Sequence, residues 1–237
     1  MTAIGRRALA IALVAAATLP AATSAQQSEH LRLFNPENLG LLEPPDRDVW
    51  QRPEQIMDAL QIAEGSVVAD LGAGSGWFSI RLARRVGPNG KVYAEDIQQP
   101  MVSALNVRIK REGLDKIVKT VLGTALDPGL PENALDAVLI VDAYHEMANP
   151  VVLLRNVAAS LKPTGRLGIV NYTKEGFGPG PPMEERVDAE RVINDAKAAG
   201  LRLHSRPDIL PYQYLLIFQR NPAAQSNATV KKPRERR

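Results

Sequence analysis

The chain has 237 residues, of which 45% are hydrophobic and 23% charged, contains no cysteine and carries a formal net charge of +3. That composition excludes a disulfide-stapled scaffold and a wholly disordered polymer, while the lack of cysteine leaves the compartment open. Positive charge gathers at the ends, so the body is net acidic and gives little support for a nucleic-acid-binding surface.

Arg6 and Arg7, the apolar run Ala8 to Leu19 and the small residues Thr23-Ser24-Ala25 before Gln26 predict a secretory signal peptide over residues 1–25. The run is shorter than the roughly 20 residues needed to cross a bilayer, and Pro20 ends it. The mature chain is therefore expected to have no integral membrane segment and to be periplasmic or secreted. The alternatives are an uncleaved anchor, or a cytoplasmic protein if the signal does not function. Residues 26–47 are polar and proline-containing and predict an extended arm. A domain is expected over 48–220, followed at 221–237 by a disordered basic tail with five basic residues and one acid.

Within the domain, Asp48 to Leu60 predicts one short helix begun near Pro53. An apolar strand, Ser66 to Leu71, then runs into Gly72-Ala73-Gly74-Ser75-Gly76. A dinucleotide fingerprint reads G-x-G-x-x-G, its third glycine allowing close packing of helix and strand beside the pyrophosphate. Here that third position is Trp77. An indole obstructs the approach, and Asp70 at the strand's end repels a pyrophosphate, so a cationic or zwitterionic ligand fits better and a nicotinamide dehydrogenase does not. The bland alternative is a glycine-rich connection with no ligand.

The pattern continues with a helix at Trp77 to Val86 and a strand at Gly90 to Ile97. That strand ends in two acids, Glu95 and Asp96, which alternation sends to opposite faces. Asp96 stands 24 positions beyond Gly72, where a carboxylate can accept both hydroxyls of a ribose. A helix at Pro100 to Glu112, strands at Ile117 to Leu122 and Ala134 to Asp142, and a helix at Val151 to Leu161 follow. A strand at Arg166 to Asn171 and a helix at Asp188 to Ala199 precede two closing strands, Leu201 to Ser205 and Tyr212 to Arg220. The short connection between these last two suits an antiparallel hairpin. The expected fold is α/β: a doubly wound, mostly parallel sheet of seven strands, Rossmann-like, with the last strand antiparallel. Ligands on such sheets sit at the carboxyl ends of the strands.

Two further segments lie at strand ends. Thr124 and Ala125 follow the third strand, with Asp127 either a ligand or a turn-forming acid before Pro128. The fourth strand ends in Asp142-Ala143-Tyr144-His145-Glu146, four polar side chains in five positions, which are costly beside a buried strand unless they face a cleft. His145 titrates near neutrality and suits a general base, with Asp142 or Glu146 placed to orient its ring; the alternative is a residue that only shapes the wall. The three histidines, at 30, 145 and 204, have no metal-ligand spacing, so no metal site is expected, a magnesium site around Asp142 and Asn171 being the alternative. Lys174 to Met183, rich in glycine and proline, reads as a cover over the cleft or as a surface connection.

The pattern apolar-apolar-x-Asp-x-Gly-x-Gly-x-Gly at Val67 to Gly76, together with the seven-strand layout, resembles class I S-adenosylmethionine-dependent methyltransferases. The resemblance implies S-adenosyl-L-methionine as cofactor. Asp70, Gly72, Ala73, Gly74 and Gly76 would hold its methionine end, Asp96 and Ile97 its ribose, the backbone at Thr124 and Ala125 its adenine edge, and Asp142 its reacting side. The segment at Tyr144-His145-Glu146 resembles the His pair of small-molecule methyltransferases related to the quinone-biosynthesis enzymes, with Glu146 in place of the second histidine. A small-molecule acceptor is expected, because no second domain is present to grip a polymer. The rival expectation is an exported, non-catalytic ligand-binding protein of the same fold, prompted by the signal peptide, since the cofactor is made in the cytoplasm.

Overall fold

The computed structural model describes residues 33–175 and 178–221. The predicted signal peptide, residues 26–32 of the arm and nearly all of the basic tail lie outside the described residues.

Seven strands form one sheet in the order β3-β2-β1-β4-β5-β7-β6. They are β1 (Val67–Leu71), β2 (Lys91–Asp96), β3 (Val118–Leu122), β4 (Leu135–Val141), β5 (Leu161–Tyr172), β6 (Leu201–Ser205) and β7 (Gln213–Arg220). The first five run parallel to one another, and β7 inserts antiparallel between β5 and β6. The doubly wound sheet with an antiparallel final strand is thus as the alternation of elements predicted. Order reverses at β1, whose neighbours are β2 and β4, and such a switch point opens a crevice at the carboxyl ends of the strands.

Apolar residues on alternate strand positions feed two separate cores, as period-two alternation requires. One face packs Val68, Val92, Val170 and Leu215 against α2 (Pro53–Ala59) and α3 (Trp77–Val86). α4 (Gln99–Arg111) covers the same face through Leu105 and Ile109. The other face packs Ala69, Val138, Ile169 and Leu216 against α5 (Pro150–Ser160) and α6 (Ala189–Ala198).

Three local features depart from the expected elements. The single helix over 48–60 is two, α1 (Arg47–Gln51) and α2, broken at Arg52 with φ 47°. The ring of Pro53 disfavours helical backbone in the residue before it, and the break turns α1 so that Arg47, Trp50 and Gln51 are buried. The arm is not fully extended: Pro36–Leu42 forms a 3-10 turn, opened by Asn35 Oδ1 accepting from the Glu37 amide at 3.0 Å. β5 begins at Leu161, directly after α5, five residues earlier than the apolar pattern suggests. Its register with β4 shifts between Leu135 and Ala137, and a Cβ added at Gly165 would lie 2.7 Å from the Leu135 carbonyl oxygen.

Candidate functional site

The glycine turn leaves β1 with two positions that only glycine fills well. Gly72 has φ 75°, and a Cβ there would lie 2.5 Å from Ala143 Cβ at the end of β4. Gly76, with φ 84°, begins α3 and meets the Leu105 side chain so closely that an added carbon has no room. The turn is pinned to β2: the Gly72 and Ala73 amides donate to the Glu95 carbonyl at 3.0 and 2.8 Å.

The two acids at the end of β2 separate as alternation predicts. Asp96 turns to the glycine loop, its Oδ2 accepting from the Gly74 amide at 3.0 Å and its Oδ1 from the Gln98 amide at 2.9 Å. Glu95 is sealed below Gly123, with Oε1 buried and without a hydrogen-bond partner among the described residues. Burial pushes the Glu95 carboxyl up to about 8, against the Gly72 amide, which pulls it down. Ile97 beside Asp96 is partly exposed, and Thr124 and Ala125 are exposed after β3. Thr124 Oγ1 accepts from the Asp127 amide at 2.9 Å, and Asp127 Oδ1 accepts from the Gly129 amide at 2.9 Å. Asp127 therefore spends its carboxylate on the local turn.

Asp70 is buried below the turn, with Oδ2 accepting from Ser79 Oγ at 2.6 Å; desolvation pushes it up to about 6, held back by Ser79 and Arg47. Two guanidinium groups lie over the Trp77 ring, with Arg81 Cζ 3.5 Å and Arg47 Cζ 4.2 Å from its centroid.

Asp142 leaves β4 with φ 56°, a left-handed conformation uncommon for a residue with a Cβ. Its Oδ1 accepts from Gln213 Nε2 at 2.6 Å and its Oδ2 lies 3.9 Å from Arg47 Nη2. Gln51 Nε2 donates to Gln213 Oε1 at 2.6 Å, and Arg47 Nε donates to Gln51 Oε1 at 2.9 Å. Burial pushes Asp142 up to about 7, with Arg47 and Gln213 opposing. Asp142 thus faces this polar ring, and no hydrogen bond joins it to His145.

His145 and Glu146 share the 3-10 turn Tyr144–Glu146, which Tyr144 anchors by donating to Asp195 Oδ2 at 2.8 Å. His145 Nε2 lies 3.9 Å from Glu146 Oε1, beyond hydrogen-bond reach. Glu146 Oε2 instead accepts from the Phe34 amide at 3.0 Å, while Gln98 Nε2 donates to the Phe34 carbonyl at 3.0 Å. The segment after Phe34 is thereby strapped between the ends of β2 and β4. Glu43 continues the strap to Arg108, whose Nη1 also reaches the Ser75 carbonyl at 3.0 Å. Burial pushes Glu146 up to about 7 and lowers His145 from its ordinary value, with Asn171 and Glu185 opposing the latter shift.

The proline- and glycine-rich connection after β5 is fastened by the buried Arg186, which donates to the carbonyls of Thr173, Pro179 and Pro181 at 2.9, 3.1 and 3.0 Å. Tyr172 lies below it, meeting Trp50 of α1 at 6.1 Å between ring centroids.

The structure gathers Asp70, Asp96 and the glycines at one crevice and places Asp142, His145 and Glu146 at the end of the adjacent strand. Sequence reasoning missed Arg47, Gln51, Gln213 and the Phe34 strap. None of these lies in a short motif; each arrives from an element distant in the chain. Among the described residues no group of three or more His, Asp or Glu is placed to hold a metal ion.

The donor set suits a cation: carboxyls stand at the ends of three strands, beside a turn whose glycines leave room for a ligand backbone. Residues 68–165 match the family described as a methyltransferase domain. The chain is 28% identical over 174 residues to the ubiquinone/menaquinone biosynthesis C-methyltransferase UbiE of Pasteurella multocida, covering 68% of this chain and 64% of that enzyme. It therefore spans a little under two thirds of that relative. Among solved structures, a SAM dependent methyltransferase from Aquifex aeolicus is 29% identical with a TM-score of 0.74, covering 78% of this chain and 98% of its own. Geranyl diphosphate C-methyltransferase from Streptomyces coelicolor, solved with S-adenosyl-L-homocysteine, is 16% identical with a TM-score of 0.59 and covers 72% of this chain and 78% of its own, a likeness in fold alone. Over residues 68–165 the chain is thus similar to methyltransferase domains, and the solved structures that it resembles include a SAM dependent methyltransferase.

Proposed function

We propose that the chain transfers a methyl group from S-adenosylmethionine to a small-molecule acceptor. The observation that carries this reading is the meeting of Asp96 with Gly74, which sets a ribose-binding carboxylate against the glycine turn. When bound, the cofactor supplies an electrophilic methyl on a sulfonium, and the displacement leaves a neutral thioether. Asp70 and the turn 72–76 would hold the methionine end, Asp96 and Ile97 the ribose, and Thr124 and Ala125 the adenine edge. Asp142 would add negative charge beside the sulfonium. The residues at the end of β4 would align the acceptor for in-line attack and exclude water.

His145, lowered by burial and so neutral near pH 7, would take the acceptor's proton as the acceptor lone pair forms its bond to the methyl carbon. Glu146 would act on this step through the strap and not by bonding the imidazole. The UbiE relatives are named for quinone biosynthesis; what is proposed from them for this chain is only that the acceptor is a small molecule.

Calorimetry with the full chain tests the cofactor site. S-adenosylmethionine and S-adenosylhomocysteine should bind, and Asp96→Ala should weaken both by roughly a hundredfold, the loss of two hydrogen bonds to a charged group. No binding to the wild-type chain would overturn the reading. Binding without turnover over an acceptor screen would favour a ligand-binding protein of the same fold. We further propose that residues 1–25 direct export, for which mass spectrometry of the soluble protein should find Gln26 at the N-terminus; an intact Met1 would remove the claim.

A further inference from the structure

The segment that precedes α1 crosses the mouth of the crevice. β2 and β4 are the two neighbours of β1, and Phe34 is bonded to residues that follow both: its amide donates to Glu146 Oε2 at 3.0 Å and its carbonyl accepts from Gln98 Nε2 at 3.0 Å. A residue held from both sides in this way spans the tip of β1, where the glycine turn begins. Further along, Leu42 rests on that turn, its Cδ1 lying 3.0 Å from the place of a Cβ added at Gly74. The Gly74 amide is the one that donates to Asp96, so the Leu42 side chain lies against the point where the turn and the carboxylate meet.

This segment is fastened by polar contacts. Arg108 grips Glu43 with both terminal nitrogens, Nη1 donating to Oε1 and Nη2 to Oε2, the latter at 2.9 Å, and its Nη1 also donates to the Ser75 carbonyl of the turn at 3.0 Å. Arg47 Nη1 donates to the Leu42 carbonyl. No residue of Pro36–Leu42 is buried, and Leu41 is 73% exposed, so lifting the segment uncovers little apolar surface. α1 by contrast buries Arg47, Trp50 and Gln51 and is held in the domain, with Pro44 and Pro45 between it and Glu43. Elements with few buried apolar contacts are those that open most readily. We propose that residues 34–43 are a lid on the cofactor crevice, which unfastens at Phe34 and Glu43 to admit S-adenosylmethionine and to release the thioether product, and closes again over the bound ligand. This rests on the methyltransferase reading and adds to it a gate on ligand exchange. Closure of such a lid keeps water from the reacting sulfonium.

The test measures exchange of S-adenosylmethionine on the full chain, with association followed by stopped-flow fluorescence of the two tryptophans and dissociation by chasing radiolabelled ligand with unlabelled. A fastening that governs a lid acts on entry and exit alike. Glu43→Ala should therefore raise both rates roughly fivefold, as for one weakened ion pair at a half-buried site, and leave Kd within about a factor of two. The natural chain has no cysteine, so Glu43→Cys with Arg108→Cys can be bridged by a short bismaleimide without side reactions at other thiols. Before bridging, the double variant should exchange ligand faster than wild type; after bridging, both rates should fall at least about tenfold below it. A rise in dissociation alone in Glu43→Ala, unchanged rates in that variant, or a bridged protein that exchanges as fast as the unbridged one would overturn the lid. Should the double variant not fold, Glu43→Ala decides by itself. Failure of S-adenosylmethionine to bind the wild-type chain would overturn the reading beneath it.

Discussion

Gln213 Nε2 donates to Asp142 Oδ1 at 2.6 Å, joining residues 71 apart in the chain. Because a guanidinium only donates and a carboxylate only accepts, the orientation of both amides between them is fixed: Arg47 to Gln51, Gln51 to Gln213, Gln213 to Asp142. Replacing Gln213 with Leu leaves Gln51 Nε2 and Asp142 Oδ1 without this partner inside the protein. The variant should lose about 1–3 kcal/mol of stability in urea titration, and Gln51→Leu should add little further loss, since both substitutions open one network.

Five carboxyls near the crevice have raised pKa values: Asp70 at about 6, Asp142 and Glu146 at about 7, Glu95 at about 8, and Asp96, which burial also pushes up. The folded chain therefore binds more protons than the unfolded one as pH rises from the ordinary 3.8 and 4.5 of these acids to about 8. Their contribution to stability is fully present below the ordinary values and is lost as pH rises through the raised ones. His145, lowered from 6.5 by burial, works the other way below that value. The Tm of the ligand-free protein should fall by several degrees between about pH 5 and about pH 8. Glu95→Gln should flatten the upper part of that fall.

The same acids give the cofactor a pH signature. S-adenosylmethionine carries the positive sulfonium and S-adenosylhomocysteine does not, so the first draws protons off Asp70 and Asp142 as it binds. Its affinity should rise between about pH 6 and about pH 8 more steeply than that of the thioether. Titration calorimetry in buffers of different ionisation enthalpy will read the released protons; equal release for the two ligands would remove the link.

Glu146 holds the Phe34 amide rather than the imidazole, and two variants separate these roles. Glu146→Gln keeps an acceptor oxygen, while Glu146→Ala does not. Hydrogen exchange at the Phe34 amide should accelerate about tenfold in the alanine variant and change little in the glutamine one.

The sheet was legible in the chain because each strand is a short apolar run bounded by a turn, and each helix follows at regular spacing. Trp77 to Val86 and Leu201 to Ser205 were readable to the residue. The crevice was legible where chemistry is local: Asp70, the glycines and Asp96 lie at the tips of neighbouring strands, so the topology that orders β1 and β2 also brings them together. What was not legible is contact between distant elements. The sequence offers Asp142 or Glu146 to orient the imidazole, yet a left-handed backbone and the arrival of Gln213 turn Asp142 to Arg47, and Glu146 holds the Phe34 amide. No periodicity announces that Arg47, within a polar stretch, becomes buried against Trp77; the break at Arg52 before Pro53 decides it.

The ring through Arg47, Gln51, Gln213 and Asp142 also orders events in time. A chain emerging from the ribosome has made every glycine and acid of the cofactor turn more than a hundred residues before Gln213 appears. Until β7 slots between β5 and β6, Asp142 and Gln51 lack the amide that joins them. A nascent chain can therefore hold the cofactor-binding motif well before it holds the acceptor side of the cleft. Competence for the reaction waits on the strand that comes last.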